Sequence, residues 1–530
     1  MAEYYLGIDQ GTTGTMALLL DKSWKVVAKG YRRHRQYYPK PGWVEQDAVE
    51  LWKDAKQSVQ EAVRKAGIRP GEIRGIGLDH QGESVVVWDR ITGEPVYPAI
   101  LWQDRRTSRQ ADELRKNYGD YIENTTGLKA DAYFSGTKIQ WILEQVPGMA
   151  ERLRSGRVLA GTMDSWLIWN MTGRRHHVTD LSTASRTMLL NLETEQWDEG
   201  MLNLLGIPRG ILPELIPSAG VYAYTDPDCF LGERIPVGAI LVDQQAALFG
   251  QCCFQPGDVK ATYGTGCFLL MNTGDKRVFS KGGLLPTVAW KLPDYRTTYA
   301  LDGGVYTAGT AISWLQDELR LFEQPEETEQ MAKSVADTGG VFFVPAFSGL
   351  GAPHWDQYAR GTLVGLTGGT QKEHIVRAAL ESIAYQVSEN IQVMRQDLQR
   401  EIQVIRADGG MSGNSFFMQF QADILDIAVD VPVIRETTAL GAAYMAAVGL
   451  GTFTRREEIE KRWKRYRRYE PQMSRQNREA LLGRWKQAVD RAKGWERKEM
   501  KILVCNAGST SLKFKLFDMP AETVLAEGKV

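Results

Sequence analysis

A chain of 530 residues is too long to share one hydrophobic core, so two or three domains are expected. Hydrophobic residues at 43% and charged residues at 24% describe a folded globular protein and exclude a disordered one. Lys plus Arg number 64 against 65 Asp plus Glu, so no overall field draws the chain to nucleic acid or an anionic membrane, and neither is expected as a partner.

The opening MAEYYLGIDQ has no basic stretch followed by an apolar one, and nowhere do about 18 apolar residues run together, so a cytoplasmic protein without membrane insertion is expected. From Tyr4 to Asp21, YYLGIDQGTTGTMALLLD reads as strand, hydroxyl-bearing glycine turn and strand. DAVELWKDAKQSVQEAVRKAG predicts a helix with Asp47 as its N-cap, Glu50 three residues later and Gly67 as its stop. IRGIGLDHQGESVVVWD (Ile73 to Asp89) gives two β-rich runs around a polar glycine turn. Ile235 to Gln251 runs a buried strand into Asp243 and then a helix. A new domain is expected to open near Pro256, where VKATYGTGCFLLMNTG repeats the plan of strand, glycine turn and strand.

Further on, Ile375, Ala379, Ile383, Val387 and Ile391 recur every four residues, a buried helical stripe. VIRADGGMSGNSFFMQFQADIL then reads as strand, glycine turn and amphipathic helix, with Gly409 and Gly410 able to bring backbone against a ligand at the helix N-terminus. The arginine-rich Thr454 to Pro471 carries Glu457, Glu458 and Glu460 among its cations, so a solvated amphipathic helix face is expected there, not a nucleic-acid surface. Cys229, Cys252, Cys253, Cys267 and Cys505 are odd in number and lack CxxC spacing. With six scattered histidines they predict buried thiols in a reducing compartment and no metal site made by protein alone.

A turn holding Gly and Thr offers backbone N–H groups and hydroxyls to phosphate oxygens, and a nearby carboxylate can hold a nucleotide's magnesium through water. Asp9, Gly11, Thr12 and Thr13 form the first such turn, and Gly264, Thr265 and Gly266 the second. Asp243 lies between them and Asp408-Gly409-Gly410 after. Two turns in series would clamp a triphosphate.

These motifs carry a resemblance. DQGTTGT, PKPGWVEQD, YFSGTKIQWIL, DQQAALFGQ, TYGTGCF, PAFSGLGAPHWD, ALESIAYQ, DGGMSGN and TALGAAY stand in the order found in the FGGY carbohydrate kinases of the actin-like and hexokinase-like superfamily, with glycerol kinases the most similar branch, over roughly residues 3–495. The resemblance implies an α/β fold of two ribonuclease-H-like domains, with ATP, Mg2+ and a small polyol meeting in the cleft between them. Domain limits of 1–253 for polyol binding and 254–495 for nucleotide binding follow, with 496–530 as linker and tail. It implies Asp243 as the general base for the attacking hydroxyl, and Asp9 as a second catalytic carboxylate reaching Mg2+ through water. Glu83, Trp102, Tyr133, Asp243, Gln244 and Phe268 would line the polyol pocket. Gly11, Thr12, Thr13, Thr265, Gly266, Gly309, Gly410 and Asn414 would surround the nucleotide. Glycerol becoming glycerol 3-phosphate is the first reading, and a homodimer or tetramer stays open.

Two positions depart from the glycerol-kinase pattern: HQGES stands where NQRET is usual, making an arginine into Gly82, and Met16 follows the first turn where a cation is typical. Gly82 is expected to open room, which keeps a tetritol or a ketose such as xylulose as alternative acceptors. A polyol-binding regulatory homologue with little phosphotransfer is the other alternative. The end of the chain, MKILVCNAGSTSLKFKLFDM from Met500, resembles the first strands of acetate kinases. As a lone fragment without a cleft it is expected to be a hairpin that docks on the body, pairs with another chain or stays mobile, with no activity of its own.

Overall fold

Each of the two glycine-interrupted hairpins sits inside its own sheet. The computed structural model describes residues 3–496, 500–507, 511–519 and 523–529. Strand Tyr4–Gln10 returns as Gly14–Asp21, with Asp9 opposite Met16 and Gln10 opposite Thr15. Val26–Arg33 extends this pair on one side. Ile73–His80, Pro236–Val242 and Ala219–Tyr224 extend it on the other, giving a six-stranded mixed sheet. Tyr4–Gln10, Ile73–His80 and Pro236–Val242 run parallel, so Asp9, Asp79 and Asp243 all arrive at one rim, the carboxyl ends of these strands. That rim is where open α/β sheets bind ligands.

The second sheet has seven strands, ordered Leu285–Trp290, Thr298–Val305, Cys267–Gly274, Val259–Tyr263, Val404–Asp408, Ala428–Pro432 and Arg465–Tyr469. Helix Lys372–Leu398 covers it with Ala379, Ile383, Val387 and Ile391 buried, as the stripe predicts, and Ile375 half-buried in the first turn. Helix Ala48–Ala66 on the first sheet starts and stops where expected. Asp47 accepts from the N–H groups of Val49 and Glu50, and Gly67 takes φ 65°.

One helix belongs to the second half of the sequence but lies on the first sheet. Thr437–Gly449 runs so close that a side-chain carbon on Gly7 would stand 2.0 Å from the Ala439 carbonyl oxygen, and one on Gly441 would stand 1.8 Å from that of Ala246. Only glycine permits this backbone-to-backbone contact with the helix Asp243–Gly250.

Ile73–His80 and Val85–Asp89 are both strands, as expected, and they do not pair with each other: the second joins a separate small sheet with Ala99–Ile100 and Val158–Thr162. Two expectations change. The arginine-rich segment is a short helix, Arg456–Glu460, followed by the edge strand Arg465–Tyr469. There the alternation of RYRRY lets Arg468 grip Asp430 of the next strand through Nε at 2.7 Å and Nη2 at 2.8 Å. The tail is three antiparallel strands, Met500–Ala507, Leu512–Met519 and Thr523–Lys529, which among the described residues pair with one another. Its Leu503, Val504, Val524 and Leu525 are exposed. Among the described residues no helix is long and apolar enough to cross a membrane.

Candidate active site

Both glycine turns open onto one cavity of about 350 Å³ between the two sheets. Thr12 and Thr13 face it from the first turn and Gly264, Thr265 and Gly266 from the second, while Glu83, Trp102, Tyr133, Asp243, Gln244 and Phe268 complete the expected wall. Gly11 closes the first turn by donating its N–H to Gly14 at 3.0 Å. Gly309 opens the helix Gly309–Asp317 and donates to the Gly264 carbonyl at 3.0 Å, while Ala308 and Thr310 donate to that of Thr265. Gly410 and Asn414 do not line this cavity. They follow strand Val404–Asp408, where Gly409 at φ 83° packs on the foot of the second hairpin. Gly410 is exposed with open space beside it, and Asn414 caps helix Ser415–Leu425 by accepting from the Phe417 N–H.

A larger cavity of about 1170 Å³ shares Trp102, Gln103 and Thr265 with the first. It runs outward between Arg105 and Asp131 on one side and Tyr306, Thr310 and Trp355 on the other.

Negative charge is concentrated at the rim. Burial and the neighbouring Asp243 push the Asp9 carboxyl up to about 7. Burial, with Asp9 and Asp243 adding to it, pushes Asp79 well above the usual carboxylate range. Asp79 is fully buried, and among the described residues neither of its oxygens has a hydrogen-bond partner. Burial also raises Asp243, but the Lys260 ammonium opposes it. Lys260 is itself fully buried, its Nζ donating to the Gln244 side chain, to Thr262 Oγ1 at 3.0 Å and to the Phe268 carbonyl at 3.2 Å. Asp243 is the first residue of its helix, with Val242 as the cap residue. Its Oδ1 accepts the next N–H, that of Gln244, at 2.6 Å, while Val242 holds the cap position, so capping does not use up the carboxylate.

The opposite wall is aromatic and rigid. The Trp102 indole N–H donates to Thr12 Oγ1 at 2.9 Å, tying this wall to the first turn, and its ring meets those of Tyr133 and Phe268 edge-on at 5.7 and 6.2 Å. Glu83 is held by Arg186, whose Nε donates to Oε1 at 2.8 Å, and Arg186 Nη2 reaches Asp302 Oδ2 across the domain boundary at 2.8 Å. Below, the buried Lys138 donates to the Tyr133 and Phe134 carbonyls, and burial lowers its amine to about 7. The room expected beside Gly82 is already filled: a side-chain carbon there would stand 2.1 Å from Val242 Cγ2.

Sequence reasoning missed Asp79, Lys138, Arg186, Lys260 and Asp302. Asp79, Lys138 and Lys260 lie inside quoted motifs, and the usable signal was a charged residue within an apolar strand or helix run. Arg186 and Asp302 carry no local signal, because each acquires its partner from the other half of the chain.

Residues 4–250 match the FGGY family of carbohydrate kinases, N-terminal domain, and residues 259–450 match its C-terminal domain. The chain belongs to the FGGY family of carbohydrate kinases. Among its relatives, glycerol kinase 2 of Thermotoga maritima is 52% identical over 497 residues, 94% of this chain and 100% of the relative. The glycerol kinase of Caldanaerobacter subterraneus subsp. tengcongensis is 51% identical over 496 residues, 93% of this chain and 99% of the relative. The crystal structure of Plasmodium falciparum glycerol kinase with ADP superimposes with a TM-score of 0.85 at 34% identity, covering 93% of this chain and 98% of that one. The FGGY architecture accounts for the two sheets: they are the paired α/β domains of the actin and hexokinase type, with the cleft between them.

Proposed function

We propose that this FGGY kinase transfers the γ-phosphoryl group of ATP to a hydroxyl of glycerol, giving glycerol 3-phosphate. The observation that carries the reading is that both phosphate-type turns, the strand-end Asp243 and the polar wall of Glu83, Tyr133 and Gln244 line a single cavity. In this reading Asp243 takes the proton of the attacking hydroxyl, and Lys260 opposes the rise that burial imposes on its carboxyl. Glu83, Tyr133 and Gln244 bond hydroxyls while Trp102 and Phe268 pack against the carbon chain. Thr12, Thr13, Thr265, Gly266 and the helix start at Gly309 supply donors for the nucleotide, with Gly410 and Asn414 beyond them, and the larger adjoining cavity gives ATP its room. Closing the two domains excludes water, the competing acceptor.

The acidic rim suits a magnesium ion. The carboxyls of Asp9 and Asp79 are raised by burial and by Asp243, so a cation beside them would relieve the repulsion. Such an ion would keep most of its waters and lean on nucleotide phosphates. Asp9 would hold it through water, and when bound it would neutralise phosphate charge. We place the boundary between the domains at 253/254, where the family matches part, and the enzyme in the cytoplasm, which suits its nucleotide and its unpaired thiols.

Val242 filling the space beside Gly82 favours a short acceptor over tetritols and ketoses. Coupled ADP release with a panel of acceptors tests this: glycerol should exceed erythritol, xylitol and the ketopentoses in kcat/KM, with the product phosphorylated on a terminal carbon. A longer acceptor that matches glycerol refutes the choice of substrate, and no acceptor-dependent ADP release at all refutes the kinase reading.

A further inference from the structure

We propose that Arg186 and Asp302 together read a hydroxyl of the acceptor other than the one facing Asp243, and so set the acceptor's length; this rests on the cleft being the polyol pocket. Arg186 follows the short helix Leu181–Ala184 of the first domain, and Asp302 lies mid-strand in Thr298–Val305 of the second. Arg186 uses Nε on Glu83 and Nη2 on Asp302 Oδ2. That leaves Arg186 Nη1 and Asp302 Oδ1, both buried and both without a hydrogen-bond partner among the described residues. Their side chains are only 4% and 8% exposed, and both line the cavity.

Orphaned polar atoms this deep are costly, and an unmet donor and an unmet acceptor on two residues that line one cavity can be satisfied by one kind of small group that both accepts and donates. A hydroxyl does so. The guanidinium is not free to swing away, since its carbon lies 5.9 Å and 5.6 Å from the ring centres of Tyr133 and Phe134. Beyond the pair, a recess of only about 20 Å³ is bounded by Phe268, Leu285, Tyr306 and Trp355. A single water-sized group needs roughly 10–15 Å³, so the recess takes an oxygen and no further carbon. Position 82 cannot supply a competing contact, because Val242 Cγ2 and Arg186 Cγ occupy the direction its side chain would take. The Arg186–Asp302 pair also joins the two domains under the acceptor, so the hydroxyl is read only when both halves of the pocket are present.

The test compares kcat and KM for glycerol, 1,2-propanediol and 1,3-propanediol in the wild type, Arg186→Lys and Asp302→Asn. Sites that hydrogen-bond a substrate hydroxyl reject analogues lacking it steeply, so the wild type should prefer glycerol over at least one diol by about 100-fold or more in kcat/KM. Each variant should raise KM for glycerol about tenfold, with a smaller change in kcat, and shrink that preference by about tenfold. Loss of a merely structural contact would lower all three substrates together, so an unchanged preference in both variants overturns the proposal. Should Arg186→Lys fail to give a cooperative melting transition, the isosteric Asp302→Asn decides alone. A wild type that releases no ADP with glycerol overturns the underlying reading instead.

Discussion

Replacing Gly441 by alanine would put one carbon 1.8 Å from the Ala246 carbonyl oxygen, 2.7 Å from its carbon and 2.8 Å from the Gly250 nitrogen. A carbon and an oxygen in contact rest at about 3.3–3.6 Å, so the helices Thr437–Gly449 and Asp243–Gly250 would have to part by roughly 1.5 Å. All three atoms are backbone, so no change of rotamer relieves the clash, and parting the helices also lifts Ala439 away from Gly7. Overpacking of this kind costs about 1–3 kcal/mol, and with about 2–4 °C per kcal/mol for a domain of this size the expected fall in Tm is roughly 2–12 °C. The same chemical change at Gly483, exposed within helix Arg475–Ala492 and with no atom within 4 Å, should act in the opposite sense. Alanine there gains about 0.5–1 kcal/mol of helix propensity, a rise of about 1–4 °C. Scanning calorimetry on the two single variants decides: if both shift Tm in the same direction, close backbone contact is not what fixes glycine at position 441.

Asp243→Asn preserves the shape of the side chain but cannot take a proton, so kcat should fall by about 10²–10⁴ with little change in KM for glycerol. Coupled ADP release measures it, and a kcat within tenfold of wild type would remove Asp243 from the proton transfer. Asp9 has a folded pKa of about 7, raised first by burial and then by Asp243, so near pH 4 to 7 the native state keeps a proton that the unfolded chain has lost. Stability of the nucleotide-free protein should therefore fall as pH rises from about 4 to about 7, by at most about 4 kcal/mol before solvent screening. Melting curves at stepped pH test this: the slope should be shallower in Asp79→Asn, which removes a second buried carboxyl that burial also raises, and in the presence of magnesium nucleotide. Truncation after Lys498 should leave kcat/KM for glycerol unchanged, since among the described residues the tail's strands pair with one another and with no strand of the two large sheets; a large loss would mean the tail supports the cleft.

Much of the site was legible because its parts sit where local chemistry announces them. The two turns and Asp243 at a strand end each stand out from their own ten residues, whereas Trp102 was legible only through the family resemblance. Arg186 and Asp302 do not stand out. Lys260 in VKATY does so only as a charge within an apolar strand, and it takes the pairing with Cys267–Gly274 and Val404–Asp408 to place that strand inside the sheet. Arg186 has no meaning before its partner 116 positions later is brought across the cleft. Gly82 misled in the other direction, since a missing side chain suggests empty space only until Val242 is found in it. The arginine-rich segment failed on period: RYRRY supports a helix face or an edge strand equally well, and the neighbour carrying Asp430 made the choice.

Helix Thr437–Gly449 has a consequence for dissecting the protein. Because it lies on the six-stranded sheet, a chain cut between Gly250 and Val259 would leave the amino-terminal piece with a bare glycine-floored groove and the carboxyl-terminal piece with an unsupported apolar rod. Neither piece should be soluble alone, whereas the two produced together should find each other and restore a single melting transition, making the severed enzyme a split reporter whose signal depends on that one helix.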